Sequence, residues 1–428
     1  MVRLLTTRYA RLFEKKGMAN PLRFAYDVYE AGKLREISSF VVWELCHKLG
    51  LFPKQRYLTF NNRPAVSLEN ERVNGAKFSD NVELAFNNTG VTITKCDHNW
   101  KLLYIDKNEE IFGCLYPDDT MLYKSSDGGE SLTPLETFPE SIKSIFISSQ
   151  DHIFVCVKGS VYRSADRGET FEKVLDMGSS ISFFRHNNAM TETPEKTLII
   201  SEYGNIWEET GWRKLAYLYF SDDGGKTWQS TDFLIQKGTN KHSHLVKYSK
   251  LFHKVYMADG DNYKKLWVTD ALTTPDLLDA DNWHPVNRFH IQMGGYTSVI
   301  ETEEMVLFGT DYQGGTNFLV QTTDGETFTN QVVPDPYRRS PIDNMLQRGS
   351  ENGSEIWANL PFSTANSKCL LMFTKDGGKS WDRLVEYSRA KHKVWLISSA
   401  SGIADTLYFS IENSKTSDRV VYKVSDVA

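Results

Sequence analysis

Ser221-Asp222-Asp223-Gly224-Gly225-Lys226-Thr227-Trp228 recurs, with small changes, along most of this 428-residue chain. The other copies begin at Ser125, Ser164, Thr322 and Thr374. They share the pattern [Ser/Thr]-x-Asp-x-Gly-x-[Ser/Thr]-aromatic, except that the copy at Ser125 ends in Leu132 and the copy at Thr322 lacks the residue between its Asp and its Gly. Short alternating apolar runs lead into the motif. We therefore expect a strand, a tight turn and a second strand at each copy.

Each position of the motif has a local physical role. An Asp that opens a tight turn accepts hydrogen bonds from backbone N–H groups a few residues later. Gly supplies the positive φ that the turn requires, and the hydroxyl residues cap the loop. The aromatic side chain enters the core as the next strand begins. The motif thus stabilises the turn of a β-hairpin. It is informative about the fold and says little about chemistry.

The spacing of the copies predicts a repeat architecture. The motifs begin at 125, 164, 221, 322 and 374, so one interval is about twice as long as the others. That interval contains Leu266–Asp270 followed by Asp281–Trp283, which we interpret as a further copy interrupted by a short insertion. Six units of roughly 40–55 residues result, the length of a four-stranded propeller blade.

The C-terminal segment supplies a seventh unit. Three strands are predicted at Val394–Ser398, Thr406–Ile411 and Val420–Val424, and either Val82–Phe86 or Gly90–Lys95 would provide the fourth. Joining the two ends of the chain in one blade removes open edge strands. The sequence therefore predicts an all-β, seven-bladed β-propeller, with six blades as the alternative.

The first part of the chain has a different pattern. Apolar residues recur at helical spacing from Leu34 to Leu49, and Gly50 and Pro53 are typical of a helix end. Pro21 opens an earlier candidate helix through Ala31. We predict a helical region over residues 1–60, a linker over 61–81 and the propeller over 82–428. The helical region is expected to cap the propeller or to form a homo-oligomer.

Composition limits the class of partner. The net charge is −6, so a broad basic surface for nucleic acid is not expected, whereas a local cleft of Arg, Lys and His remains compatible with an acidic saccharide. Five scattered cysteines without a C-x-x-C motif indicate free thiols. The chain shows neither an N-terminal signal-peptide pattern nor an apolar run long enough to span a membrane, so we expect a cytoplasmic protein.

The repeated Ser-x-Asp-x-Gly-x-Thr-Trp string resembles the Asp-box (BNR) repeat of sialidase-like β-propellers. Shorter strings, among them Ile200–Gly204, His242–Val246 and Phe308–Asp311, resemble carbohydrate-active propellers such as the lyases for ulvan and for rhamnosyl-glucuronate polysaccharides. This resemblance implies an enzyme acting on a polysaccharide. A sialidase is disfavoured, because the only string like its Arg-Ile-Pro start is Pro21–Phe24, ahead of the propeller.

The innermost strand of each blade lines the central channel, and polar groups near its start can converge on the top face. We predict innermost strands beginning at Lys143, Ile181, His244, Tyr296, Met345 and Val394. The candidate catalytic residues near these starts and the adjoining loops are His244, Tyr296, His242, Glu202, Arg185 and Arg348. The candidate substrate-binding residues are Tyr203, Gln292, Asp311, His392 and Arg338.

This set suits β-elimination at a uronate, in which a cation neutralises the carboxylate and a base removes the neighbouring proton. By the resemblance to the lyases, His244 would be the base, Tyr296 the acid, and Arg185 or Arg348 the carboxylate partner. Which of His242 and His244 faces inward stays open.

Other interpretations remain at this stage. Asp259 and Asp261 form an oxygen-rich turn that would suit Ca²⁺, the one cofactor that the sequence suggests, or else a simple Asp-Gly turn. A glycoside hydrolase would need two carboxylates, Glu202 with Asp261 or Asp311. A non-catalytic binding or assembly propeller is the third alternative.

Overall fold

The fold is described by a computed structural model covering residues 25–26, 28–30, 34–68, 86, 91–209, 211–239, 241–260, 265–286, 295–312, 315–350, 353–362 and 367–426. Seven antiparallel sheets form the blades of a β-propeller, as the sequence predicts, with few short helices.

The strands, in chain order, are β1 (Val66–Ser67), β2 (Thr92–Lys95), β3 (Trp100–Ile105), β4 (Ile111–Leu115), β5 (Met121–Ser125), β6 (Thr133–Thr137), β7 (Ile142–Ile147), β8 (Ile153–Val157), β9 (Ser160–Ser164), β10 (Glu172–Asp176), β11 (Met190–Glu192), β12 (Leu198–Ser201), β13 (Trp207–Glu208), β14 (Gly211–Trp212), β15 (Leu218–Ser221), β16 (Gln229–Thr231), β17 (Ser243–Ser249), β18 (Lys254–Asp259), β19 (Leu266–Thr269), β20 (His284–Pro285), β21 (Gly295–Glu301), β22 (Val306–Asp311), β23 (Phe318–Thr322), β24 (Thr329–Val332), β25 (Asn344–Ser350), β26 (Gly353–Leu360), β27 (Cys369–Thr374), β28 (Asp382–Tyr387), β29 (His392–Leu396), β30 (Ser398–Ala400), β31 (Leu407–Asn413) and β32 (Arg419–Ser425). The helices are α1 (Leu34–Lys48), α2 (Phe233–Gln236) and α3 (Thr274–Leu278), with 3₁₀ turns at Lys54–Arg56 and Ala280–Asn282.

Blades 1 to 7 follow one another along the chain. Blades 1 and 2 are β3–β6 and β7–β10, blade 3 is β11, β12, β15 and β16, and blades 4, 5 and 6 are β17–β20, β21–β24 and β25–β28. Blade 7 is β29, β31 and β32 with β2 at its outer edge. The predicted strand within residues 90–95 therefore closes the ring, because β2 pairs antiparallel with β32 over Thr92–Lys95.

The Asp-box loops are built as the sequence predicts. The Asp223 carboxylate accepts hydrogen bonds from the Ser221 hydroxyl (2.8 Å), the Lys226 N–H (2.9 Å) and both the N–H and hydroxyl of Thr227. Burial works against the charge, but these hydrogen bonds outweigh it and lower the pKa of Asp223 to about 2. Gly225 has a φ of +84°, and a Cβ there would lie 2.3 Å from the Phe154 ring, so this position requires glycine.

The insertion predicted in blade 4 is present. β19 ends at Thr269, and α3 and the 3₁₀ turn at Ala280–Asn282 intervene before β20 resumes the blade at His284. Trp283 is buried and stacks on Phe233, which begins α2 in the preceding blade. The interrupted motif thus still places its aromatic residue in the core.

One predicted innermost strand is displaced. The first strand of blade 3 begins at Met190 and not at Ile181, and residues 179–188 form turns ahead of it. The alternating pattern from Ile181 to Phe183 is typical of a strand, yet only Phe183 pairs, in an isolated bridge with Tyr203. Arg185 therefore lies in a loop over the channel mouth.

The segment before blade 1 packs on blades 5 and 6. α1 ends at Lys48, two residues before Gly50, whose φ is +63°, as the sequence predicts. Glu44 on α1 pairs with Arg338 and Arg339. Further along, β1 pairs parallel with β28 of blade 6. The earlier predicted helix is helical at residues 25–26 and 28–30, and its remainder lies outside the described residues.

Candidate functional site

A cleft lies at the mouth of the channel and consists of two adjoining cavities. Cavity A has a volume of about 390 Å³ and cavity B about 530 Å³, and both are lined by Phe183, Arg185 and Asp343. Other residues of cavity A include Lys101, Tyr116, Lys143, Trp395, Glu412 and Arg419. Other residues of cavity B include Tyr203, Asn205, Lys241, His244, Asp311, Tyr312 and Phe362.

Bulges place three of these side chains. In β3, β7 and β17 the register with the neighbouring strand shifts at the second residue, which is Lys101, Lys143 and His244 respectively. A bulge bends the strand and changes the direction of a side chain, and bulges are frequent beside functional sites. The same local irregularity on three innermost strands thus brings three basic residues to the cleft.

His242 and His244 form a hydrogen-bonded pair. Nδ1 of His242 lies 2.7 Å from the Gly204 carbonyl oxygen, and Nδ1 of His244 lies 3.2 Å from that of Tyr296. A carbonyl oxygen can only accept, so both Nδ1 atoms donate. The two Nε2 atoms are 3.1 Å apart, a separation that is a hydrogen bond only when one proton lies between them. These contacts fix the orientation of both rings.

Tyr203 connects this histidine pair with Arg185. Its ring lies 4.0 Å from the His242 ring and 6.0 Å from the His244 ring, measured between centroids. The Arg185 guanidinium lies 5.7 Å from the Tyr203 ring centroid. The Asn205 amide donates to the Tyr203 hydroxyl oxygen at 3.2 Å. A half-buried phenol thus lies at the cleft, near both the guanidinium and the histidine pair.

Arg185 lies at the border between the two cavities. Its guanidinium donates to the carboxylate and to the carbonyl oxygen of Asp343, at 3.0 and 3.1 Å. Burial alone would lower the pKa of Arg185, but Asp343, Tyr203 and Asp311 outweigh it and raise that pKa. Arg185 is therefore a fixed cation that both cavities share.

The lining is basic overall, although the whole chain is acidic. The cations are Lys101, Lys143, Arg185, Lys241 and Arg419, and the carboxylates are Asp311, Asp343 and Glu412. Five positive groups against three negative ones give an excess of two. A cleft of this charge favours an anionic ligand.

Two predicted catalytic residues do not line the cleft. Tyr296 is fully buried, and its ring packs 5.7 Å from that of Phe308 in the core of blade 5. Glu202 is also buried and accepts hydrogen bonds from Ser182, from the Tyr219 hydroxyl (2.6 Å) and from the Gly178 N–H (3.2 Å). Burial raises the pKa of Glu202 in spite of these bonds. Both side chains brace the scaffold behind the site.

Arg348, Arg338 and His392 also lie elsewhere. Arg348 is buried and forms ion pairs with Glu355 and Asp426, both at 3.0 Å. Arg338 is bound to Glu44 of α1, and His392 is buried at the start of β29. Of the predicted residues, the structure brings together Arg185, Tyr203, His242, His244 and Asp311.

Asp259, in the turn suggested for calcium, is hydrogen-bonded within the protein. This buried carboxylate accepts hydrogen bonds from the Lys265 N–H (2.7 Å) and the Trp267 indole (3.2 Å), and burial raises its pKa to about 6. Asp261 and Gln292 lie outside the described residues. No cluster of three or more potential metal ligands occurs among the residues that the structure describes.

Sequence reasoning missed several lining residues. Lys101, Lys143 and His244 share the second position of an innermost strand, so the registers of β3 and β7 would have revealed the two lysines. Asp343 immediately precedes β25, and Lys241 lies two residues before β17. No local sequence pattern marks either residue. Their role is visible only when blades from distant parts of the chain meet.

Comparison with known proteins supports the fold. The BNR/Asp-box repeat family matches residues 219–230, in the motif at Ser221. The chain carries a BNR/Asp-box repeat. A search of curated proteins found no match. No helix among the described residues is long and apolar enough to cross a membrane.

Solved structures with similar folds belong to diverse proteins. A streptogramin B lyase structure has a TM-score of 0.53 at 10% identity, over 80% of this chain and 99% of that one. A catalytically inactive virginiamycin B lyase from Staphylococcus aureus, with quinupristin, gives 0.53 at 10%, over 78% and 99%. A chain of a mitotic checkpoint complex gives 0.52 at 11%, over 86% and 100%. At such identities the likeness concerns the fold alone.

Proposed function

We propose that the cleft binds an acidic saccharide and cleaves it at a uronate by β-elimination. The observation that carries this proposal is the contact of Tyr203 with both Arg185 and the His242–His244 pair. A phenol near a guanidinium is suited to proton transfer, because positive charge stabilises the phenolate form.

Arg185 is the candidate partner of the uronate carboxylate. It lies at the border of the two cavities, and Asp343 fixes its position. A guanidinium beside the carboxylate stabilises the charge that develops when the neighbouring C5 proton is removed. The sequence suggests either Arg185 or Arg348 as the partner of the carboxylate. The proposal selects Arg185, because Arg348 forms a buried ion pair with Glu355.

Tyr203 is the candidate proton-transfer group. As phenolate it would take the C5 proton, the C4–oxygen bond would break, and the phenol would return its proton to the leaving oxygen. The products are a 4,5-unsaturated uronate and a free hydroxyl, so no water or other reactant is consumed. The two Nε2 atoms of the histidine pair already face each other, so the pair positions the phenol through its ring contacts.

The proposal is tested by measuring ultraviolet absorbance while the protein is incubated with four polymers: polygalacturonate, alginate, ulvan and a rhamnosyl-glucuronate polysaccharide. We expect absorbance from an unsaturated uronate with at least one of these polymers. Released reducing ends without absorbance would favour a hydrolase that uses Asp311 and Asp343, which both line cavity B. Saturable binding without any product would favour a non-catalytic binding propeller, and either outcome overturns the elimination.

Self-association through the N-terminal helical region is a further proposal. α1 exposes an apolar stripe, in which Leu34 is 47%, Val41 45%, Leu45 52% and Leu49 67% exposed. Such stripes at helical spacing are typical of helix–helix contacts. We expect the purified chain to have the molar mass of a dimer by light scattering and Leu45→Glu to give a monomer. A wild-type monomer at all accessible concentrations would contradict this.

A further inference from the structure

The end of the cleft in cavity A carries two cations that have no direct ion pair. Lys101 is paired with Asp119 at 2.6 Å, and Glu412 is paired with Lys393 at 2.6 Å. Arg419 and Lys143 differ from these, because neither has a carboxylate within ion-pair distance in the part of the chain that the structure describes. Glu412 acts on Arg419, and Asp119 and Glu140 act on Lys143, over longer distances.

Arg419 is held in place by neutral groups. Its guanidinium donates to the Asn99 side-chain oxygen at 2.8 Å and to the Lys101 carbonyl oxygen at 3.3 Å, and it lies 5.5 Å from the Tyr116 ring centroid. Burial lowers the pKa of Arg419 to about 10 and Glu412 on the neighbouring strand partly opposes this effect, so the group stays charged at neutral pH. A partly buried charge without a direct ion pair is costly, and an anionic ligand in the cavity would provide that pair.

Aromatic side chains complete the lining. Tyr116 is 37% exposed, and Trp395 is half-buried beside Arg389, whose guanidinium lies 5.2 Å from the indole centroid. Pockets that bind small ligands typically combine such surfaces with a few polar groups and have volumes of roughly 300–1,000 Å³. Cavities A and B both fall in this range and adjoin at Arg185, so together they fit a ligand longer than one sugar.

We propose that cavity A is a second oxyanion subsite, in which Arg419 and Lys143 bind the acidic group of the sugar that neighbours the one at Arg185. This inference rests on the proposed function for cavity B and specifies its substrate. The substrate class is a saccharide with acidic groups on neighbouring residues, whether carboxylate or sulfate. Tyr116 and Trp395 would contact the ring of that second sugar.

Calorimetric titration with galacturonic acid, its dimer and its trimer tests the subsite. We expect the wild type to bind the trimer at least about tenfold more tightly than the monomer, since one charge-assisted hydrogen bond has about that effect. Arg419→Gln should remove most of this difference and leave monomer binding unchanged. Sulfated galactose oligosaccharides of the same lengths form the second arm, which shows whether sulfate or carboxylate is preferred.

Arg383→Gln is the matched control. Arg383 is half-buried like Arg419. Its guanidinium lies 5.6 Å from the Phe60 ring centroid and donates to the Arg63 carbonyl oxygen at 3.3 Å. It belongs to blade 6, away from the cleft. This variant removes the same charge in a similar setting and should bind like the wild type. Lys143→Gln, at an exposed position, is a second test that does not depend on how well Arg419→Gln folds.

The possible outcomes separate the two proposals. Trimer binding that depends on Arg419 and Lys143 but yields no elimination product would retain the subsite and reject the elimination. Elimination with trimer affinity unchanged in both variants would reject the subsite and retain the elimination. Failure of every oligosaccharide in both arms to bind would overturn both.

Discussion

Tyr203→Phe is expected to lower the rate of elimination by roughly a hundred- to ten-thousandfold, the range of a lost general acid–base group. The substitution removes only the hydroxyl. The ring contacts with His242 (4.0 Å) and Arg185 (5.7 Å) do not involve the hydroxyl, so the site should keep its shape. We therefore expect kcat to fall while KM changes little, measured from ultraviolet absorbance on whichever uronate polymer the wild type cleaves.

Tyr162→Phe provides the control for this prediction. Tyr162 lies on β9 and packs against Phe138 at 5.2 Å, in the interface of blades 1 and 2, and it does not line the cleft. The same loss of a hydroxyl there should leave kcat unchanged. If Tyr203→Phe keeps wild-type kcat, Tyr203 does not transfer the proton. A loss of kcat in His244→Ala would then indicate that His244 is the base.

The propeller could be predicted because its information is local. The hydrogen bonds to Asp223 all come from residues within four positions, so the motif is visible in the sequence wherever it occurs. Closure of blade 7 by β2 followed from counting strands, since a ring with an open edge is unfavourable. Even the interrupted copy in blade 4 kept enough of the pattern to be recognised.

The site could be predicted only in part, because its geometry depends on non-local contacts. The sequence leaves open which of His242 and His244 faces inward, and a bulge at His244 sets the contact between their Nε2 atoms. Arg185 lines the cleft from a loop before β11 and not from the predicted strand at Ile181.

The choice between two tyrosines illustrates the same limit. Tyr296 lies at a predicted innermost-strand start, and the resemblance to the lyases implies that it is the acid. In the structure its ring enters the core of blade 5, and its carbonyl oxygen lies 3.2 Å from Nδ1 of His244. Tyr203 reaches the same histidine pair from the neighbouring blade 3, and no spacing rule within one blade predicts such a contact across blades.

Arg348→Met is expected to destabilise the fold by about 3–5 kcal/mol without affecting the chemistry of the folded fraction. Arg348 and Glu355 are each 1% exposed, and Arg348 also binds Asp426 and the Asp405 carbonyl oxygen. Removing the guanidinium leaves the Glu355 charge buried with Lys375 as its remaining cationic partner. Urea denaturation followed by tryptophan fluorescence measures the loss in the free energy of unfolding.

The double variant Arg348→Met/Glu355→Gln separates a structural from a catalytic role. Removing both charges avoids a poorly compensated buried carboxylate, so part of the lost free energy should return, because replacing a whole buried pair costs less than breaking it. Activity per folded molecule should equal that of the wild type in the single and the double variant, since Arg348 does not line either cavity. A loss of kcat in both variants, at concentrations of urea where they are fully folded, would instead restore Arg348 as the partner of the substrate carboxylate.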